Sequence, residues 1–405
     1  MNTFIPYKKA LSILEEHKGD FPIVSKNIQD CIGNYLAEDL VADRDFPPFD
    51  RVTMDGIAIV YESFKNGQRT FKIEATAAAG TAQKTLDDAL NCIEVMTGTI
   101  MPNGVDTVIR YEDLTLENNQ ATINLDTLKY KQNVHFKGMD ITQGTNIVPK
   151  GKQLSSAEIN IAAAVGKSTL KVKQLPKVVI FSTGDELVDV YETPKLHQIR
   201  RSNIYGIQAT LKEWGISATL EHLADDKAQM LKVISKALDV YDLFVFTGGV
   251  SKGKFDYLPD VLEKLKVTKH FHKIQQRPGK PFWFGSNAQE KKIFALPGNP
   301  VSSFVCTYVY LKFWLQKSLG IESDPLYVKL KSDVTFKPDL VYFLQANLKS
   351  EPDGTLMAEP IKGNGSGDFA NLTTADGFLI LPQEKNQFKK GEVFEFIVYR
   401  QNSFL

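Results

Sequence analysis

The sequence predicts a multidomain chain of class α/β plus β, organised around a doubly wound, mostly parallel sheet. Three observations predict it. Between about residues 173 and 322, apolar β-branched runs (KVVIFSTG, ISATLEHL, DLFVFTGG, KKIFALPG) alternate with helical patterns. That alternation marks buried parallel strands covered by helices on both faces. Residues 52–137 and 323–405 instead carry short alternating runs joined by Gly, Pro and Asn turns, the texture of small β modules. Finally, 405 residues exceed the ordinary content of one domain, about 100–200 residues.

The elements follow in order. Residues 4–17 read as an amphipathic helix with Phe4, Ala10, Leu11 and Leu14 on one side. Residues 31–41 read as a second helix, leading into the Pro-punctuated RDFPPFDRVTMDGIAIV, a loop that runs into a strand. FKIEATAAAG, CIEVMTG, DTVIRYEDL and ATINL are strands of a β-rich insertion, about 52–137. SSAEINIAAAVG is a helix and TLKVKQ a strand, which close an N-terminal region spanning 1–172. In the α/β part, SNIYGIQATLKEWG is a helix with Ser202 as N-cap and Gly215 as stop, and PVSSFVCTYVYLKFWLQKSLG is one long helix opening at Pro300. From 323 the runs YVKLKSDVTF, VYFLQANLKS, GTLMAEPI, GFLILP and EVFEFIVYR predict a small β-barrel-like domain.

Composition narrows the function. Lys plus Arg equals Asp plus Glu, 48 against 48, which argues against a general nucleic-acid binder. Cys31, Cys92 and Cys306 lie far apart, too few for a disulfide framework and without a CxxC pair. The charged N-terminus is no secretory signal, and no run is long and apolar enough to span a bilayer, so a cytoplasmic protein is expected. The histidines are scattered; His270 and His272 share a face of a possible strand but have no third ligand nearby.

Ligands of open α/β sheets bind outside the carboxyl ends of the strands. The loops there are unusual. Thr183-Gly184-Asp185-Glu186 combines a glycine that admits a ligand with two acids that hold a metal or a proton; a tight turn capped by Asp185 is the ordinary alternative. Gly248, Gly249, Val250 and Ser251 begin a strand-to-helix loop with Lys252, Lys254 and Asp256, a phosphate cradle by its glycines and cations. It is neither a Walker A loop nor a GxGxxG fingerprint. Arg277 and Lys280, with Lys273 upstream, offer cations on a Pro-Gly turn, or form a solvated basic turn. Pro297-Gly298-Asn299-Pro300, followed by Ser302, starts a helix whose first N–H groups suit an oxyanion. Asp55 in TMDG and Asp140 in GMDITQG stand in Gly/Pro loops, where turn formation is the commoner role.

In sequence order, TMDG, GMDITQG, STGDEL, RRSN, TGGVSKGKFDY, RPGKPFWFG, LPGNPVSSF and GSGDFANLTTADGFLILP resemble the molybdopterin molybdenumtransferase family, the molybdenum insertases that include the E domain of gephyrin. The likeness covers essentially the whole chain. It implies two interleaved N-terminal domains, one of them the β-rich insertion, then a molybdopterin-binding α/β domain and a C-terminal β-barrel. It implies an elongated homodimer whose cleft lies between the α/β domain of one subunit and the N- and C-terminal domains of its partner. The implied reaction converts adenylyl-molybdopterin and molybdate to molybdenum cofactor and AMP with Mg²⁺. The preceding adenylyltransferase is an implied partner. Asp55, Asp140, Glu186 and Asp256 match the family's acids, as catalytic groups and metal ligands, with Asp55 and Asp140 entering the partner's cleft. Thr183, Gly184, Asp185, Ser202, Asn203 and the TGGVS loop would hold the pterin phosphates. Lys273, Arg277, Lys280 and Ser302, beside Pro297 to Pro300, would attract molybdate and phosphate.

The departures are specific. Arg201 stands where the family has Asp before Ser/Thr-Asn, so an acid is lost and a cation gained. SAMDGYA reads Val52 to Ala58 here, the usual basic pair of NIRRxGED is His135-Phe136, and its Glu is Met139. Arg277 replaces a common Lys. Two alternatives remain: the adenylyltransferase of the preceding step, whose loop usually reads TGGTGxxxRD, and a non-catalytic molybdopterin-binding scaffold.

Overall fold

The computed structural model describes residues 4–250, 257–363, 365 and 367–400. Its centre is a six-stranded sheet of β1 (Val178–Thr183), β2 (Ala218–Leu223), β3 (Leu243–Thr247), β4 (Thr268–His272), β5 (Trp283–Ser286) and β6 (Lys292–Leu296). The spatial order is β2-β1-β3-β6-β5-β4. β1, β2, β3 and β6 run parallel, and β5 lies antiparallel between β6 and β4. The chain leaves β1 for one side and comes back as β3 on the other, so a topological switch point falls between β1 and β3.

Both faces of this sheet are covered, as continuous apolar strands require. Val178, Ile180, Val245, Phe294 and Leu296 pack on one side with α1 (Ser202–Glu213) and the helix that starts at Pro300. Val179, Phe181, Phe244, Phe246 and Ile293 pack on the other with α2 (Lys227–Leu238) and α3 (Leu258–Lys264). Phe181 and Phe246 stack at 5.0 Å, an arrangement contributing about 0.5–1.5 kcal/mol beyond its buried area. The expected long helix is α4 (Pro300–Cys306), a π turn over Thr307–Leu311, and α5 (Lys312–Leu319), with Pro300 at its first position. Ser202 is the first helical residue of α1, not its cap; Arg201 holds the cap position without a side-chain bond.

The N-terminal region is interleaved. Ile23–Asn27 pairs with Thr169–Lys173, Leu40–Val41 with Asn146–Val148, and Arg51–Val52 with Val134–His135. Chain before the β-rich segment therefore pairs with chain after it. Between them lies a second six-stranded sheet that includes Gly56–Ile59, Thr70–Ala77, Asn91–Val95 and Thr107–Arg110. Ile57, Ile59 and Ile109 face one core while Ala58, Ile93 and Val108 face another. The helix Ser156–Ala164 is closed by a capping box between Ser155 and Glu158, a device worth about 1 kcal/mol.

Residues 31–41 form turns and bridges, not the expected helix. Tyr35 bridges Gln153 and Leu36 bridges Val172, so long-range pairing buries the apolar side chains that helical spacing suggested. The C-terminal strands do form a barrel. Val341–Ser350, Leu356–Pro360, Leu326–Leu330, Val393–Val398 and Gly377–Leu381 pair in turn, and the last pairs back to the first. Closure leaves these five strands with no unpaired edge. No helix among the described residues is long and apolar enough to cross a membrane.

The helix Tyr7–Glu16 docks on α5, with Ala10 and Leu14 buried in the α/β core. Trp314 Nε1 donates to the His17 carbonyl at 3.0 Å, and Gly19 N–H donates to Ser318 Oγ at 2.8 Å. At this seam His17 and His270 stack with ring centroids 3.6 Å apart. Burial, then His17 and Lys292, push the His270 pKa down to about 4, and His17 is lowered by the same kind of burial. The folded state prefers the neutral His270 ring, so its contribution to stability is complete above the ordinary value of 6.5. That contribution is lost as pH falls from 6.5 toward 4. Thermal unfolding midpoints should fall across this window, and His270→Gln should flatten the fall. Parallel curves for the two proteins would show that the stacked pair does not set the acid response.

Candidate functional site

A cleft of about 340 Å³ opens at the carboxyl ends of β1, β3 and β6. Ladder register sets its floor: Ser182 of β1 pairs with Thr247 of β3, and Thr247 with Leu296 of β6. The three loops that follow therefore start at one level. They bring Thr183, Gly184, Glu186, Gly248, Gly249, Gly298, Asn299 and Pro300 together, with Ser202 and Asn203 from the start of α1. Ten residues proposed from motifs scattered over more than a hundred positions thus share one wall-to-wall lining. This is the switch point between β1 and β3, where open α/β sheets hold ligands.

The loops need their glycines. Gly248 has φ +92°, and a Cβ there would lie 2.8 Å from Thr183 Oγ1. Gly184 has φ +129°, and a Cβ there would strike the Glu186 carboxylate, which folds over it. Asn203 Nδ2 donates to the Gly298 carbonyl at 2.7 Å, tying the start of α1 to the loop before α4. The cleft lining carries charges of both signs, Glu186 and Asp225 with Arg200 and Arg201, beside glycine-lined backbone.

Other expected residues fall elsewhere. Asp185 Oδ1 accepts the Asp225 N–H at 3.0 Å, the turn-holding role, and Asp185 does not line the cleft. Val250 is buried in the core and its carbonyl accepts a bond from His272 Nε2 at 3.0 Å. Pro297 is buried, and Ser302 is only 3% exposed. Ser251 and Asp256 lie outside the described residues.

Arg277 occupies a separate small pocket of about 80 Å³ with Val301, Tyr342 and Gln345, where the α/β domain meets the barrel. Gln276–Arg277 pairs with Val341–Tyr342 of the barrel strand, which fixes the turn against it. The Gly279 backbone packs on Gln276 and Cys306, and Tyr310 OH donates to Gln276 Oε1. Lys280 Nζ sits 4.2 Å from the centre of the Phe4 ring, and Ile5 N–H donates to the Lys273 carbonyl at 3.1 Å. The first residues of the chain thus brace this basic turn.

Asp55 and Asp140 lie in the N-terminal region and do not line the cleft of their own chain. Asp55 Oδ1 accepts the Thr97 N–H at 2.5 Å and the Thr97 hydroxyl at 2.7 Å, bonds that hold its carboxyl below the usual range. Asp140 Oδ1 contacts His135 Nε2 at 2.9 Å.

Sequence reasoning missed Asp225 and Asp189. Asp225 lies just past the carboxyl end of β2, the position that singled out the other loops. Asp189 pairs with Arg201, and Tyr205 OH donates to it at 3.3 Å. The Arg201 bond holds the Asp189 carboxyl below its ordinary range. The cation gained at position 201 is therefore matched inside the chain, twelve residues away in sequence.

Comparison with known proteins agrees with this geometry along the whole chain. The family model of the MoeA N-terminal region (domain I and II) matches residues 5–166. That of the probable molybdopterin binding domain matches 179–317, and that of the MoeA C-terminal region (domain IV) matches 327–399. A molybdopterin molybdenumtransferase of Synechocystis is 42% identical over 393 residues, 96% of this chain and 98% of its own. One of Staphylococcus epidermidis is 29% identical, covering 99% and 97%. The crystal structure of a molybdopterin biosynthesis MoeA protein from Pyrococcus horikoshii OT3 superposes with a TM-score of 0.84 at 26% identity, over 98% of this chain and 100% of that one. With all three of its regions matched in order, the chain belongs to the molybdopterin molybdenumtransferase (MoeA) family.

Proposed function

We propose that this chain is a molybdopterin molybdenumtransferase, converting adenylyl-molybdopterin and molybdate to molybdenum cofactor and AMP. The observation that carries the reading is the switch-point cleft, in which Thr183, Gly184, Asn203, Gly248, Gly249 and the start of α4 converge. Glycine-lined backbone and a helix start offer N–H groups to phosphate oxygens. The same groups neutralise charge that develops as the phosphoanhydride opens. The family relatives carry this activity in their names along their full length.

Mg²⁺ fits the donor set, because Glu186 and Asp225 line the cleft and Mg²⁺ takes one or two carboxylates plus substrate phosphates. When bound, it polarises the phosphoanhydride. Asp256 and Ser251, outside the described residues, keep the roles that the family resemblance implies. Asp55 and Asp140 would reach a second copy's cleft, so the working unit is a homodimer. Arg277, with Lys273 and Lys280 on the same braced turn, would draw molybdate to the small pocket beside Val301. The buried Ser302 would serve through the first turn of α4, not through its hydroxyl. The substrate implies an adenylyltransferase acting one step earlier. The three buried free cysteines suit a reducing compartment, the cytoplasm.

The deciding assay offers the purified protein either adenylyl-molybdopterin with molybdate and Mg²⁺, or molybdopterin with Mg-ATP. AMP release with formation of active cofactor is expected only in the first; turnover only in the second would assign the preceding step instead. Three variants examine the site. Gly248→Ala should destabilise by about 1–3 kcal/mol in denaturant titrations and weaken molybdopterin binding in calorimetry. Arg277→Ala should raise KM for molybdate by about 10–100-fold, the worth of a charged hydrogen bond, with kcat little changed. Asp55→Ala should cut kcat by about 100-fold or more while light scattering shows an unchanged assembly. Normal kinetics in any of these would remove that residue from the site.

A further inference from the structure

The acid at position 140 is held by an arrangement that motif comparison did not anticipate. Arg51 and His135 are direct cross-strand partners in the Arg51–Val52/Val134–His135 pair. Arg51 NH2 lies 3.0 Å from His135 Nδ1, and His135 Nε2 lies 2.9 Å from Asp140 Oδ1. A guanidinium has only donors. Nδ1 must therefore accept, the ring must carry its proton on Nε2, and that N–H must donate to the carboxylate. Either alternative tautomer or the doubly protonated ring would set two donors against each other at Arg51.

We propose that His135 is a positioning residue for Asp140, its Nδ1 engaged by Arg51 so that the Nε2–H is directed at the carboxylate and fixes its direction. The proposal rests on the reading of Asp140 as a site acid. The backbone supplies the other half of the grip. Asp140 N–H donates to the Phe46 carbonyl at 3.0 Å, and Gly138 N–H to the Pro47 carbonyl at 2.9 Å. With main chain and one oxygen both held, rotation of the side chain is restricted although Asp140 is 54% exposed. The carboxylate is then held exposed with one oxygen fixed, as a group meant to enter another subunit's cleft requires. The place of the usual basic pair is thus taken by a donor whose proton is assigned by its other neighbour.

The test combines kinetics with histidine nitrogen spectroscopy on the full-length protein. ¹⁵N correlation spectra at neutral pH should show His135, assigned by its loss in His135→Ala, as the Nε2–H tautomer. Arg51→Met should shift it toward a tautomer mixture. His135→Ala should lower kcat by about 10–100-fold with KM for adenylyl-molybdopterin unchanged, the ordinary cost of removing a partner that orients a site ligand. His135→Gln, whose amide nitrogen reaches about as far as Nε2, should restore most of the loss. His135→Asn, which is too short, should not. An Nδ1–H or doubly protonated ring, or full turnover in His135→Ala beside an inactive Asp140→Asn, overturns this proposal alone. Full turnover in Asp140→Asn overturns it together with the role given to Asp140.

Discussion

Everything at the site depends on parallel ladder register. β1, β3 and β6 are hydrogen-bonded so that Ser182, Thr247 and Leu296 lie abreast. Three loops must therefore leave the sheet at one height and share the space above it. The crowding is severe enough that a Cβ added at Gly248 would lie 2.8 Å from Thr183 Oγ1. A cradle built of backbone follows from this, because there is no room for anything else. It has the property that phosphate chemistry wants, donors that are fixed before the ligand arrives.

The charged groups singled out in the sequence are held by separate parts of the fold. Glu186 and Asp225 come from the same strand ends. Arg277 is placed by the barrel, through its pairing with Val341–Tyr342, so the α/β domain alone does not fix that cation. Asp55 and Asp140 belong to the interleaved N-terminal region, each with one oxygen already bonded, to Thr97 and to His135.

The fold was largely legible because its strands are short apolar runs bounded by turn residues, and all five barrel strands and the four parallel strands could be read that way. The false helix at 31–41 shows the limit. Cys31, Tyr35, Leu36 and Leu40 have helical spacing and are all buried, but bridges to Gln153 and Val172 bury them. Local periodicity cannot distinguish a helix face from a segment pinned by chain more than a hundred residues away. Most of the cleft lining was legible from the strand-end rule, yet Asp185 lies off the cleft and Asp225 on it, since the bond that occupies Asp185 comes from a loop forty residues on. Arg201 looked like an added charge until its partner Asp189 was seen in space. The burial of Ser302 was hidden for the same reason: sequence marks a helix start but not the side on which each hydroxyl falls.

The docking of the helix Tyr7–Glu16 has a consequence for biosynthesis. Ala10 and Leu14 are buried against α5, and the bonds at its end go to Trp314 and Ser318. A ten-residue helix is marginal by itself in water. On the ribosome, this helix must wait for nearly the last part of the α/β domain, 299 residues later for the Gly19–Ser318 bond. At about 5–20 residues per second, that is about 15–60 s of synthesis during which its apolar face has no native surface to cover it. The helix therefore reaches its native place only after α5 has been made, and the barrel strands follow it.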